Sequence, residues 1–422
     1  MALRKTDTEV LVVGAGPVGM LVALLLHEQG VAVELVDEAW RSATRSYATA
    51  LHQTSLSILM DAGIGIDSLG PAQQLERIIF YDEKEPRCEL DVASGSGSLP
   101  YASILPQSSL ESQLEAELNR RRIPIRWQQR LAEIERASDR LTASIEVLER
   151  TSTGYAVAKT SLQVARTEQV GARFVVGADG IDSLVRRQAN IRYESVGTPL
   201  EFDVFELEAQ DVNAGTQHVV LGESTTDVLW TLPSGRQRWS FQVNGPGTPQ
   251  RERIKSRLLL QVPGEASRRT GEEQLRQYVS QRAQWFDGKI GDIVWTGDVR
   301  FEPRLASAFG SGSIWLAGDA GHQTGPVGVQ SMNAGLREAR ALADAIAAVL
   351  KRGSPRSVLD QYNDACRSEW RRLLGHGSGF HAAATANPWI AERAARVVTC
   401  LPASGNELKA LASQLGLVAD DD

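Results

Sequence analysis

Val10-Leu11-Val12-Val13-Gly14-Ala15-Gly16-Pro17-Val18-Gly19 is the stretch that decides the fold class. Its four apolar residues read as a short buried strand, and the glycines after them fit a turn from strand into helix. In such a G-x-G-x-x-G run the first glycine, Gly14, makes the tight turn. Gly16 lets the backbone approach a pyrophosphate, and Gly19 permits close helix–strand packing; Pro17 and Val18 complete the loop. The helix expected over residues 20–29 then aims its free N–H groups and positive dipole end at the phosphates. Gly30 stops that helix, and residues 31–36 read as the next strand. Asp37 closes it 23 residues after Gly14. A carboxylate accepting hydrogen bonds from a ribose is expected roughly 20 residues on, with Glu38 beside it.

Two further glycine turns follow short apolar runs. Gly177-Ala178-Asp179-Gly180 comes after Phe174-Val175-Val176, and Gly318-Asp319-Ala320-Gly321-His322 comes after Ile314-Trp315-Leu316-Ala317. Each stands where a buried strand would end, so three distant segments are expected to converge on one nucleotide, a flavin. Asp319 at a strand end can accept hydrogen bonds from a ribityl chain. Downstream, Pro326-Val327-Gly328-Val329-Gln330-Ser331-Met332-Asn333 leads into a long helix. N–H groups at its start could bind the pyrimidine edge of the flavin, and the dipole would favour the charge of a reduced ring. Taken alone, this last stretch reads equally as an ordinary strand–turn–helix.

Composition narrows the alternatives. A chain of 422 residues holds two or three domains, and a net charge of −7 without a dense Lys/Arg block excludes a nucleic-acid surface. No run reaches the roughly 18 apolar residues of a membrane span, and the first strand begins too early to leave room for a signal peptide. Three cysteines, Cys88, Cys366 and Cys400, lack CxxC spacing and point to reduced thiols in the cytoplasm. The six histidines form no HExxH, and His376 and His381 lack a carboxylate spaced to complete a metal site.

The pattern predicts an α/β protein: a Rossmann-like FAD-binding domain, an inserted, mainly antiparallel β-sheet substrate domain, and C-terminal helices. The FAD-binding domain is expected in three parts, 1–75, 101–192 and 293–365. Substrate-domain strands are expected at 76–100, the substrate domain proper at 193–292, and a helical region at 366–422. A helix over 108–121 would be capped by Ser108 or Ser109. Strands are expected at 201–208, 216–221, 228–232 and 238–243, and a long helix at 331–352.

The middle motif, Gly177-Ala178-Asp179-Gly180-Ile181-Asp182-Ser183-Leu184-Val185-Arg186, resembles the short fingerprint of class A (single-component) flavoprotein monooxygenases of the para-hydroxybenzoate hydroxylase type. Motif order and spacing resemble that family over about residues 8 to 365. The resemblance implies that Arg45 lies near the flavin, that Gln107 contacts it, that Asp319 binds it and that Pro326 lies beside the ring. It ties Asp179 to both flavin and pyridine nucleotide. It further implies non-covalent FAD, NADPH or NADH as co-substrate, and O₂. Reduced flavin would form a hydroperoxide that passes one oxygen to an aromatic or polyketide-like small molecule, by hydroxylation or epoxidation, in secondary metabolism or aromatic catabolism. The chain departs from the family pattern at Gly321, Val329 and Ser331, and at Tyr362-Asn363-Asp364-Ala365-Cys366-Arg367, where Tyr-x-x-Glu-Arg is usual. By its length it resembles the shorter members, without the thioredoxin-like tail of the larger ones.

Two other readings share these motifs: a flavin-dependent oxidoreductase or halogenase, and a non-catalytic flavin-binding protein. The Trp-x-Trp-x-Ile-Pro run of halogenases is absent, since Trp230-Thr231-Leu232-Pro233 does not match it. No Ser/His/Asp or Cys/His pattern appears, so no catalytic residue is assigned. Phe80, Phe205, Trp230, Trp239 and Phe241 are the aromatic candidates for a substrate pocket, with core as the competing assignment for each. A monomer or homodimer is expected, with a small molecule as its partner.

Overall fold

A computed structural model describes residues 5–41, 50–92, 99–137, 140–153, 159–208, 214–233, 235–243, 265–325, 327–374 and 379–420. It is a mixed α/β structure with several sheets. A six-stranded sheet runs Gly310–Ser311, Ile314–Leu316, Phe174–Gly177, Val10–Val13, Val33–Asp37, Ile125–Trp127. Every pairing is parallel except the hairpin at Gly310–Ser311. Val10–Val13, Phe174–Gly177 and Ile314–Leu316 are buried throughout, because both faces of the sheet are covered. That is why they read as unbroken apolar runs rather than alternating ones.

Val10 and Val12 face the helices Pro17–Glu28 and Gln330–Lys351 in one core. Leu11 and Val13 face the opposite way, onto Leu131, Ala143, Ile145 and Val170 of a four-stranded sheet. That second sheet contains the long strands Leu141–Thr153 and Lys159–Ala172.

A separate seven-stranded sheet has the order Ile293–Phe301, Leu200–Glu208, Arg236–Val243, Thr226–Leu232, Thr216–Leu221, Arg77–Tyr81, Pro86–Asp91. Ile293–Phe301 pairs antiparallel with Leu200–Glu208. The chain therefore leaves this sheet only after Phe301, whereas the sequence pattern placed its exit near Ile293. Alternation divides the sheet into two faces. One carries Phe205, Leu229, Trp239 and Phe241 against Leu275 and Val279 of the Glu265–Arg282 helix. The other carries Phe80, Val204, Val219 and Trp230, packed with Val327, Val329 and residues of the C-terminal helices such as Ile390 and Leu401.

All five pocket candidates are at most 2% exposed: Phe205, Trp239 and Phe241 lie in the core beneath the helix, and Phe80 and Trp230 in the core on the opposite face. Trp239 and Phe241 stack with ring centroids 4.9 Å apart. Period-two alternation predicts two faces, but it does not say which one a distant helix will cover.

Two further expectations are corrected. The helix Gln107–Arg120 starts after Pro106 with no side-chain cap, so neither Ser108 nor Ser109 caps it. The C-terminal region is not wholly helical: Phe380–Ala382 and Leu417–Ala419 pair as antiparallel strands. Among the described residues, no helix is long and apolar enough to cross a membrane.

Trp239→Ala is expected to lower unfolding stability by roughly 3–5 kcal/mol, the range for deleting a buried aromatic. Urea denaturation measures this, and FAD affinity of the folded variant should stay unchanged.

Candidate functional site

The order of the six-stranded sheet sets the carboxyl ends of Ile314–Leu316, Phe174–Gly177 and Val10–Val13 side by side. Each ladder continues one residue into its turn. Gly14 N–H donates to Val36 O at 2.8 Å, Ala178 N–H to Val13 O at 2.8 Å, and Ala317 N–H to Gly177 O at 3.0 Å. The turns then touch. Gly14 has φ +103°, and a Cβ there would lie 2.2 Å from Ala178 O. A Cβ on Gly335 would lie 2.7 Å from Val18 Cγ2 and 3.1 Å from Gly318 Cα. Backbone contact of this closeness requires glycine.

What surrounds these contacts is open. At Gly16 and Gly180 an added Cβ meets nothing within 4 Å. Gly16 is the N-cap of Pro17–Glu28, and the first intrahelical bond is Met20 N–H to Gly16 O at 3.0 Å. The N–H groups of Val18 and Gly19 therefore precede the helical ladder, the arrangement that binds anions. Asp319 lies among the turns and remains open to solvent. Partial desolvation by the surrounding turns pushes its carboxyl above the usual range, His322 opposes that rise, and the negative charge of Glu338 adds to it.

Several sequence-selected residues already hold hydrogen bonds within the protein. Asp37 accepts from Ala15 N–H at 2.6 Å and Ala39 N–H at 2.7 Å, which ties the strand end to the glycine turn; Glu38 beside it is exposed. Asp179 Oδ2 accepts from Leu184 N–H at 2.7 Å and Val185 N–H at 3.2 Å, at the start of the Leu184–Gln188 helix. Its Oδ1 is buried without a protein partner, and burial raises its carboxyl. Gln107 Nε2 donates to Glu111 Oε1 at 2.8 Å.

Around the third turn, Asn333 is fully occupied. Its Nδ2 donates to Ala50 O at 3.0 Å and Val329 O at 2.8 Å, and its Oδ1 accepts from His52 N–H at 2.8 Å. Ser331 Oγ accepts from Thr324 N–H at 3.2 Å. Met332 is half-buried in the first turn of the helix. Gly328 lies against the C-terminal segment, where a Cβ would be 2.4 Å from Thr399 O. Arg45 and Pro326 lie outside the described residues. Of the two remaining pocket candidates, Trp230 is directly opposite Gln217, whose Nε2 reaches Val327 O at 3.4 Å; Phe80 shares that face.

The structure also gives roles to Arg186 and Tyr362, quoted within the motifs without one, and to Tyr193 and Glu338 outside them. Arg186 donates to Ala320 O and Ile181 O, both at 2.8 Å, and so joins the second turn to the third. Its guanidinium lies 3.9 Å from the ring centre of Tyr193, whose hydroxyl donates to Asp319 O at 3.2 Å. Tyr362 OH donates to Leu316 O at 2.7 Å, holding the last strand before the turn. A charged residue on an apolar helix stripe was the legible signal for Glu338, which lies four residues from both Ala334 and Leu342.

Adjacent parallel strand ends, close-packed glycine turns and a free helix N-terminus define a dinucleotide-binding α/β protein. The chain belongs to the FAD binding domain family, whose model matches residues 7–375. It is 23% identical over 391 residues to pentachlorophenol 4-monooxygenase of Sphingobium chlorophenolicum, covering 89% of this chain and 67% of that protein. It is 26% identical over 408 residues to 6-methylpretetramide 4-monooxygenase of Streptomyces rimosus, covering 96% and 66% respectively. The chain thus spans about two thirds of the length of these curated relatives. A crystal structure of p-nitrophenol 4-monooxygenase from Pseudomonas putida DLL-E4 shares the fold, with TM-score 0.72 and 20% identity over 98% of this chain and 95% of that one.

FAD fits what is present: an open cradle at Gly16, unbonded N–H groups at a helix start, and a carboxylate in the cleft. Gly14→Ala should destabilise the fold by roughly 2–4 kcal/mol, through positive φ and collision with Ala178. Gly16→Ala should leave stability within about 0.5 kcal/mol yet weaken FAD binding. Paired denaturation curves and FAD titrations of the two variants check the contrast.

Proposed function

We propose that the protein is an FAD-dependent monooxygenase that uses NAD(P)H and O₂ to hydroxylate an aromatic or polyketide-like small molecule. The observation that carries this reading is the cleft where three glycine turns meet and Asp319 opens to solvent. The named relatives, monooxygenases of pentachlorophenol and of 6-methylpretetramide, support the substrate class. In this reading the six-stranded sheet and its helices form the FAD-binding domain, and the seven-stranded sheet is the substrate domain. The boundaries are those read from the sequence, with the return shifted past Phe301.

Bound FAD would supply the redox chemistry, accepting reducing equivalents from NAD(P)H and activating O₂. The protein's part is to bind, orient and exclude water. Gly14, Gly16 and the N–H groups of Val18 and Gly19 would hold the pyrophosphate. Asp37 would hold the ribose while remaining bonded to Ala15, since each carboxylate oxygen has a second lone pair. Asp319 would accept from the ribityl hydroxyls, and the start of the Gln330–Lys351 helix would face the ring. Substrate would approach the ring from the side of the seven-stranded sheet, and the packing of Val327 and Val329 onto the Trp230 face of that sheet would help keep water from the reacting centre. A cytoplasmic monomer or homodimer accompanies this reading.

The purified protein should be yellow and release free FAD on denaturation. Anaerobic NADPH or NADH should bleach the flavin absorbance band, whereas a protein that takes up FAD but is reduced by neither would count as a non-catalytic binder. Asp319→Ala should lose charge-assisted hydrogen bonds worth roughly 1.5–3 kcal/mol, about a 10- to 100-fold weaker FAD affinity. Unchanged affinity in the folded variant would remove Asp319 from the site.

A further inference from the structure

We infer that Glu338 is a positioning residue for the flavin: from behind the Gly318–Ala320 turn its carboxylate, together with His322 and Trp370, fixes the backbone that presents Asp319. The inference rests on the reading of the Asp319 cleft as the ribityl site. Glu338 lies on the buried face of Gln330–Lys351 and is 4% exposed. Its Oε2 accepts from Gly318 N–H at 2.8 Å and from His322 Nε2 at 2.9 Å, and its Oε1 accepts from Trp370 Nε1 at 2.8 Å. One carboxylate therefore grips both ends of the turn and the following helix, Ser357–Leu373. The His322 ring stacks on Trp370 with centroids 3.9 Å apart, which holds the imidazole edge toward Glu338.

Gly318 has φ +65°, so the turn begins in the left-handed region, and the bond from its N–H to Glu338 fixes the peptide plane there. The next two residues are held from other directions: Asp319 O by Tyr193 OH, and Ala320 O by Arg186 Nη1. Three successive residues thus have a backbone group pinned by a distant side chain, while the Asp319 side chain opens into the cleft. A carboxylate buried among three donors is a strong and directional anchor, since hydrogen bonds to an ionised acceptor are roughly twice as strong as neutral ones.

The same arrangement has an electrostatic signature. Burial alone would raise the Glu338 carboxyl. The charge and hydrogen bond of His322, with the Trp370 and Gly318 N–H groups, outweigh that and hold it below the usual range. The groups facing Asp319 are Glu338 and His322 behind the turn, and Tyr193 and Arg186 beside it. Partial desolvation raises Asp319, His322 lowers it, and Glu338 raises it further. Its ionised form accepts the hydroxyl hydrogen bonds. FAD affinity is therefore full above the raised pKa of Asp319 and is lost as pH falls through it. Neutralising Glu338 moves that acid limb to lower pH, and removing the imidazole of His322 moves it to higher pH. A purely architectural pair would produce no opposed displacement.

The test is FAD titration of apoprotein by fluorescence quenching, from neutral pH downward through the acid limb of the wild type, for wild type, Glu338→Gln, His322→Gln, Trp370→Phe and Asp319→Asn. Glu338→Gln should bind FAD roughly 10-fold more weakly at neutral pH, with its acid limb displaced downward. His322→Gln should show the upward displacement, and Trp370→Phe a two- to five-fold loss of roughly the same origin. Wild-type affinity in Asp319→Asn would overturn the reading of the cleft itself. Weakened binding in Asp319→Asn beside a folded Glu338→Gln with unchanged affinity and acid limb would overturn the role of Glu338 alone. If circular dichroism shows Glu338→Gln unfolded, His322→Gln and Trp370→Phe decide the matter: wild-type titrations in both overturn the inference.

Discussion

Parallel pairing of Val10–Val13 with Phe174–Gly177, and of Phe174–Gly177 with Ile314–Leu316, is the constraint from which the cleft follows. Parallel strands all end at the same edge of a sheet, so the segments that leave them must start together there. Here those segments are the three glycine turns. Their closeness comes from missing side chains: Gly14 lies against the Ala178 carbonyl, and Gly335 against the Val18 side chain and the Gly318 backbone, where an added Cβ would collide. The same absence of Cβ atoms leaves the open space at Gly16 and Gly180.

Close packing alone would not keep three polar turns in register, because each carries backbone groups that the sheet ladder does not satisfy. Charged side chains do this. Arg186 links the second turn to the third and is screened by the Tyr193 ring. Asp37 bonds the first turn, and Glu338 bonds the third from behind. Removing Arg186 or Glu338 would leave the buried backbone groups they bond without a partner, which is why these contacts act as fixed points rather than adjustable ones.

The C-terminal segment belongs to the same mechanical unit. Gln330 Nε2 donates to Leu401 O and Ala403 O, both at 2.9 Å, at the start of the long helix. Arg396 reaches the opposite way, donating to Gly222 O at 2.8 Å and to Thr225 O in the turn of the seven-stranded sheet. The loop that would face the flavin ring and the sheet that would face the substrate are thus tied to one stretch of chain.

The sequence by itself determined the strand–turn–helix identity of the three motifs, because unbroken apolar runs before glycines have few other folded forms. It also placed four strands of the seven-stranded sheet within two residues of where they stand, since period-two alternation is a local property, but not the edge strand Ile293–Phe301. Strand order was not legible, nor was which face of that sheet lies under the Glu265–Arg282 helix. Both depend on pairings between residues far apart in the chain, and so Phe205, Trp239 and Phe241 read as pocket candidates although they are core. The roles of Arg186, Glu338 and Trp370 were hidden for the same reason. A charge at a buried helix position can be noticed in a sequence, but only tertiary packing supplies the three donors that give it a purpose.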